Sequence, residues 1–111
     1  MTRSNIHIIL SNGKKIKCVA DSSSAPEQGY IVENLILPLL AMSNASGELL
    51  LLKEQCTMNE QRSNAEYRYE INLLNKSVSF YEEHYHSGKE KFIRGENITE
   101  RYDQYLTAIK V

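Results

Sequence analysis

The feature that most constrains the fold of this chain is a two-residue alternation of apolar and polar side chains between positions 67 and 85. One set of positions is aromatic or aliphatic and begins with Tyr67, Tyr69, Ile71 and Leu73. The intervening set is polar and comprises Glu66, Arg68, Glu70 and Asn72. Because successive residues of a β-strand point to opposite faces of a sheet, this pattern predicts strands with one buried face.

A two-residue turn at Asn75-Lys76 would join two such strands into a hairpin. Its register gives two apolar pairs on one face and one pair of opposite charge on the other: Leu73–Val78, Ile71–Phe80 and Arg68–Glu83. The agreement of both faces supports a hairpin here.

A second hairpin is predicted at the start of the chain, around Asn12-Gly13. A strict two-residue turn would set leucine and isoleucine against lysines. A three-residue loop, residues 11–13, with Gly13 left-handed, instead forms the pairs Ile8–Ile16 and Ile6–Cys18. Register follows the hydrophobic pattern, so the three-residue loop is predicted.

A helix is predicted from Pro26 onward, because proline suits the first helical position. Its apolar residues fall at helical spacing around most of the circumference and include Ile31, Leu35, Leu39 and Met42. A band this wide indicates a largely buried helix. Pro38 has no N–H to donate, which predicts a kink or break near Leu37.

The four consecutive leucines from Leu49 to Leu52 are compatible with either a strand or a helix. Leucine favours a helix, whereas the shortness of the run and the preceding Gly47 favour a strand, which is the prediction for residues 48–53. The polar stretch 55–64 lacks a period and is predicted to be an exposed loop.

The last part of the chain is predicted to contain an edge strand and a helix. A turn at Ser87-Gly88 leads into the charged strand 89–94. Asn97 is a favourable N-cap, with Glu100 three positions later. The helix that follows presents one apolar stripe, formed by Ile98, Tyr102, Tyr105, Leu106 and Ile109.

These elements predict a two-layer α+β fold with an antiparallel sheet of about five to six strands. One helix is inserted after the first hairpin, and the C-terminal amphipathic helix packs on the sheet. At 111 residues and 12.7 kDa the chain is expected to bury roughly two-thirds of its surface in one core. Residues 1–111 are therefore predicted to form a single domain.

Charge and cysteine content exclude some classes of function. A net charge of −1 argues against a general binder of phosphate backbones. Two cysteines do not resemble a disulfide framework. The longest apolar stretch, residues 35–42, is too short to span a membrane, and the residues after Met1 do not resemble a signal peptide. The expectation is a cytoplasmic protein with reduced thiols and no membrane segment.

One group of residues suggests a binding site. Glu82, His84 and His86 alternate along a strand and so project to the same side. The predicted register sets Glu82 opposite Tyr69 and His84 opposite Tyr67. The face then runs from an apolar floor to a polar and aromatic end, as in many pocket mouths.

Three interpretations of this group stay open. The strand end can simply become polar in water, which is the commonest outcome for such a pattern. It can be a small-ligand pocket, or a metal site, because two imidazoles and a carboxylate are ligands of zinc and iron. His7 lies in another hairpin and is expected at the surface.

No nucleophile or catalytic motif is evident, and no cofactor is predicted. Cys18 lies among apolar residues, and neither it nor Cys56 has a nearby histidine in sequence that would lower its pKa. The favoured function is a non-enzymatic binding module acting through protein–protein contact, with a partner protein or as a homodimer. Tyrosines at positions 67, 69, 81 and 85 are candidates for that interface.

A further alternative is nucleic-acid binding through the basic residues Lys14, Lys15 and Lys17 beside the first turn. The interpretation that assigns these lysines no binding function is a solvated hairpin edge. Lysine commonly protects such edges from pairing with other strands.

Overall fold

The computed structural model describes residues 2–109, and within them six strands form one sheet with three α-helices. The strands are β1 (Ser4–Ile9), β2 (Lys15–Ala20), β3 (Thr57–Met58), β4 (Tyr67–Asn72), β5 (Ser77–His86) and β6 (Lys91–Asn97). The helices are α1 (Leu37–Ala41), α2 (Ala45–Gln55) and α3 (Thr99–Ile109). The strand order is β3-β2-β1-β4-β5-β6. The predicted α+β class is therefore confirmed.

The sheet is mixed, and the prediction of a purely antiparallel sheet was wrong. β1 and β4 run parallel, whereas the other neighbouring strands are antiparallel. A parallel pair needs a long crossover connection, which the helical segments between β2 and β4 supply. Hairpin signals in a sequence report strands that follow each other directly, so they could not reveal this central pair.

The first hairpin has the predicted register, with Ile6 opposite Cys18 and Ile8 opposite Ile16. The N–H of Gly13 donates to the carbonyl of Leu10 at 2.9 Å, which closes the three-residue loop. Gly13 has a φ of +86°, and no atom lies within 4 Å of the place a Cβ would occupy. The left-handed backbone, rather than lack of space, is what favours glycine there.

The second hairpin keeps the predicted faces but differs in register by two residues. A four-residue turn at positions 73–76 joins β4 to β5, so Ile71 faces Val78 and Tyr69 faces Phe80. The N–H of Leu73 donates to the carbonyl of Ile9 at 2.8 Å, which extends the pairing with β1 and removes Leu73 from the hairpin. Because side chains alternate with period two, a shift of two leaves each on its predicted face.

The helix predicted from Pro26 is divided in two. A 3₁₀ turn, Pro26–Gln28, ends at Gly29, whose φ is +82°. A π-helical turn, Val32–Ile36, then continues into α1. The Leu37 N–H donates to the Val32 carbonyl, five residues earlier. This wider turn leads directly to the proline at position 38, which has no N–H, so the predicted irregularity is a π turn rather than a break.

The prediction of a strand at residues 48–53 was wrong, because the four leucines belong to α2. The side-chain oxygen of Asn44 accepts hydrogen bonds from the backbone N–H groups of Ser46 and Gly47 at 3.0 and 3.4 Å and so caps this helix. Within the run Leu52 is fully buried, whereas Leu50 is 60% exposed. Helix capping and the intrinsic preference of leucine decide the structure here.

The predicted edge strand and terminal helix are present with shifted bounds. β6 forms one edge of the sheet and is preceded by a 3₁₀ turn, Ser87–Lys89. The Asn97 side chain accepts a hydrogen bond from the Thr99 N–H at 3.0 Å, at the start of α3. Tyr102, in the middle of the predicted stripe, is 3% exposed. The polar stretch 55–64 contains the short strand β3 at the other edge.

The core lies between the helices and one face of the sheet. The fully buried side chains that fill it are Ile6, Ile8, Leu10, Ile31, Leu35, Ile36, Leu39, Leu52, Tyr69, Ile71, Leu73 and Phe80. They come from alternate positions of β1, β4 and β5, from the residues that continue β1 and β4, and from the helical segments between β2 and β3. None of the helices between residues 2 and 109 has the length and apolar character that a membrane crossing requires.

Candidate functional site

The five residues predicted as a site, Tyr67, Tyr69, Glu82, His84 and His86, lie in two different surroundings. In the observed register Tyr67 faces Glu82 and Tyr69 faces Phe80. The two tyrosines are under the helices, whereas both histidines are exposed near the end of β5. The structure therefore does not bring the five side chains together around one apolar floor.

Tyr67 and Tyr69 are parts of the packed layer. Tyr69 is fully buried and its hydroxyl donates to the Ser24 carbonyl at 2.6 Å. Burial raises the pKa of this hydroxyl well above its ordinary value. The Tyr67 hydroxyl accepts a hydrogen bond from the Arg101 guanidinium at 3.1 Å, beneath α3. Both hydroxyls thus hold helical or connecting segments to the sheet.

The three residues from β5 form a loose polar row. His84 Nε2 lies 3.8 Å from a Glu82 carboxylate oxygen, with both side chains well exposed. The His84 ring lies over Gly95, where an added Cβ would approach Nε2 to 2.5 Å. Among residues 2–109 no group of three or more His, Cys, Asp or Glu side chains is arranged to hold a metal ion. The metal interpretation therefore gains no geometric support.

The opposite face of the sheet, which we call the uncovered face, holds the features of greater functional interest. No helix in residues 2–109 packs on it, because the described helices all contribute to the core on the other face. The loop before β4 crosses part of it. There the backbone N–H of Arg62 donates to the Asn5 side chain at 2.8 Å, and Gln61 is hydrogen bonded to His7 at 2.9 Å.

A charged network lies at the centre of the uncovered face. Arg68 donates to both oxygens of Glu83, at 2.8 and 3.1 Å, and Asn5 donates to the same carboxylate at 2.9 Å. Arg68 and Glu83 are 8% and 6% exposed. Glu70 joins Arg68 to Arg94 through contacts of 3.4 and 3.0 Å. The Arg68–Glu83 pair was predicted as directly opposed; it forms across a diagonal instead, since Arg68 is opposite Tyr81.

His7 is part of this surface and is half-buried there. It lies opposite Lys17 in β2 and Glu70 in β4. Burial, followed by the positive charges of Arg68 and Lys17, lowers the pKa of His7 below its ordinary value of 6.5. Neutral imidazole is therefore favoured in the folded protein.

An aromatic cluster lies at the β5–β6 end of the uncovered face. It consists of Tyr81, Tyr85, Phe92 and Arg94, which we call the aromatic patch. Tyr85 and Phe92 are cross-strand partners with ring centroids 4.8 Å apart. The Arg94 guanidinium lies 4.6 Å from the centroid of the Tyr81 ring. The sequence identified both tyrosines but could not assign Phe92 and Arg94 to the patch, because β6, the strand that carries them, begins later than predicted.

The three lysines proposed for nucleic-acid binding occupy the first hairpin. Lys14 is in the turn, and Lys15 and Lys17 point to the uncovered face from β2. Lys15 and Lys17 line a cleft of about 380 Å³ together with Asn59, Glu60 and Gln61. The acidic Glu60 is part of the same cleft, so the surface is of mixed charge and nucleic-acid binding stays a prediction.

No protein-family model, no curated protein and no solved structure matches this chain. Its function must be inferred from the geometry described above.

Proposed function

We propose that this chain is a binding module that acts through protein–protein contact, with the aromatic patch as the centre of its contact surface. The observation that carries the proposal is the tilted packing of Tyr85 against Phe92 and the position of the Arg94 guanidinium over the Tyr81 ring on the uncovered face. Tyrosine, phenylalanine and arginine are the residue types enriched in protein interfaces.

The position of the patch supports the same function. Residues 84–86 of β5 pair with β6 alone, because the pairing on the β4 side ends where the Glu83 N–H donates to the Glu66 carbonyl at 3.1 Å. The patch thus extends onto a two-stranded ribbon at the edge of the sheet. The patch aromatics are half-buried by one another rather than by a helix. Binding a partner would complete their burial, which is how aromatic side chains contribute most to affinity.

The charged side chains beside the patch would orient a bound partner. Arg94 is held over Tyr81 by its contact with Glu70, so its guanidinium is oriented before a partner arrives. A partner that supplies carboxylates beside an apolar or aromatic anchor fits this surface. Orientation in the free protein reduces the entropic cost of binding.

The test compares two variants of the same ribbon. The patch variant carries Tyr85→Ala and Phe92→Ala, whereas the matched control carries His84→Ala and Ile93→Ser on the opposite side of the same strands. Light scattering across a range of concentrations measures self-association. Quantitative capture from the native cell compares both variants with the wild-type chain.

The expected result is a partner, or a second copy, that the wild type and control retain and the patch variant loses by about 30-fold or more in Kd. A strict monomer that retains no protein would contradict the proposal. So would a partner that the patch variant binds as tightly as the wild type does.

A further inference from the structure

Cys18 and Cys56 lie side by side near the β3 edge of the sheet. β2 and β3 pair Cys18 with Met58 and Val19 with Thr57. Cys56, two positions before Met58, is therefore the diagonal neighbour of Cys18 on the same face, within reach of a side-chain contact. Both thiols are free, and both pack in or against the apolar core.

The two thiols differ in access. Cys18 is fully buried, whereas Cys56 is half-buried at the end of α2. Cys56 also lines a cleft of about 420 Å³ together with Asp21, Tyr30 and Gln55. A cleft of this size admits a small molecule. A low-molecular-weight reagent can therefore reach Cys56 directly but has no direct path to Cys18.

The order of reactivity follows from the surroundings. The pKa of Cys18 is raised, first by the neighbouring Cys56 thiol and then by burial. Because the thiolate is the nucleophile, Cys18 is a poor first reactant. It becomes effective once the neighbouring Cys56 sulfur carries a leaving group, since the second step is then intramolecular.

We propose that Cys18 and Cys56 form an intramolecular disulfide by exchange with a low-molecular-weight disulfide that enters through this cleft. The Cys56 thiolate attacks one sulfur of the reagent, forms a mixed disulfide and releases one small thiol. Cys18 then loses its proton, attacks the Cys56 sulfur and expels the second small thiol. Two electrons and two protons pass from the cysteine pair to the reagent, which is reduced to two thiols.

The bond would tie β2 to the segment that joins α2 to β3. It closes a loop that contains α1 and α2, and closing a loop of this length is expected to lower the unfolding constant by about 10²- to 10³-fold. The short edge strand β3, which has two residues, is the element whose position would depend most on the redox state.

The test uses folded wild-type protein that has been reduced, freed of reductant and incubated with glutathione disulfide. The product is denatured, alkylated and measured by intact mass and peptide mapping. The expected product is a monomer with no alkylated cysteine, no retained glutathione and a Cys18–Cys56 cross-link. Retention of one glutathione, a covalent dimer, or two alkylated cysteines would overturn the proposal.

Two variants separate the steps. Cys18→Ala is expected to stop at a glutathione adduct on Cys56, and Cys56→Ala to keep Cys18 reduced while the protein is folded. Reaction of Cys18 in the second variant at the wild-type rate would overturn the assigned order. The urea midpoint of the oxidised wild type should exceed that of the reduced form; a lower midpoint would show that the bond distorts the fold and would also overturn the proposal.

Discussion

The two faces of the sheet are held together by different interactions. On the covered face, aromatic and aliphatic side chains pack against one another, and the centroids of the Tyr69 and Phe80 rings are 4.6 Å apart. On the uncovered face, Arg68 and Glu83 are almost as deeply buried but are held by directed hydrogen bonds. Burial on the first face is stabilised mainly by loss of water from apolar surface, whereas on the second the pairing of charges offsets the cost of burying them.

This difference separates the surface that builds the fold from the surface that is free for function. The covered face is packed against three helices and their connections, so Tyr69 is fully buried there and Tyr67 is partly buried. The uncovered face is closed only where the loop before β4 reaches Asn5 and His7. Directed polar contacts keep its side chains in place while leaving the aromatic patch accessible.

The largest effect is expected when an apolar side chain is removed from the covered face. Phe80→Ala should lower the free energy of unfolding by about 4 kcal/mol, because the ring is fully buried between two tyrosines. The matched control is Phe92→Ala on the uncovered face, with an expected loss of about 1 kcal/mol. Urea unfolding measures both, and equal losses would contradict the distinction between the faces.

A somewhat smaller loss is expected when the central ion pair is broken. Glu83→Ala leaves the Arg68 guanidinium buried without its main partner, which should cost about 3 kcal/mol. Replacing both residues, with Arg68→Met and Glu83→Leu, should recover most of that loss because no buried charge remains. The same unfolding measurement tests this, and a double variant less stable than Glu83→Ala would show that the pair is itself the source of stability.

The smallest expected effect is a dependence of the free energy of unfolding on pH that is caused by His7. Because its pKa is lowered in the folded protein, the unfolded chain binds the proton more readily. The stabilising contribution of neutral His7 is complete above pH 6.5, the ordinary pKa of histidine. It is lost as the pH falls from 6.5 towards the lower pKa of His7 in the folded protein.

This dependence is measured by urea unfolding at about pH 7.5 and about pH 5.5. The loss at the lower pH should be smaller in His7→Gln than in the wild type, whereas His86→Gln, which changes an exposed ring, should behave as the wild type does. Carboxyl groups that do not face position 7 contribute equally to all three proteins. A wild-type response in His7→Gln would place the titrating group elsewhere.

Local patterns predicted the hairpins and the terminal helix well. The pairing of Ile8 with Ile16 followed from the alternation and one glycine, because both strands are contiguous with their turn. In the second hairpin the faces were right and the pairing was displaced by two residues, because Leu73 pairs with Ile9 rather than with β5. The alternative partner lies far away in sequence, so no local rule could rank it.

The candidate site was predicted less well than the fold. Glu82, His84 and His86 do share one side of β5, but the tyrosines assigned to them are enclosed by Ser24 and Arg101, which come from distant segments. Tyr81 and Tyr85 were recognised as interface candidates, whereas Phe92 and Arg94 joined them only through the observed register of β6.

The alternation of side chains by itself determined which residues of each strand share a face, since that depends only on the geometry of an extended chain. The helical spacing of apolar residues in the last part of the sequence likewise determined the terminal helix. Tertiary structure alone decided that β1 and β4 are parallel neighbours and that one face stays uncovered. These outcomes depend on contacts between segments far apart in the chain, where competing pairings of similar local quality are separated only by how well the whole core packs.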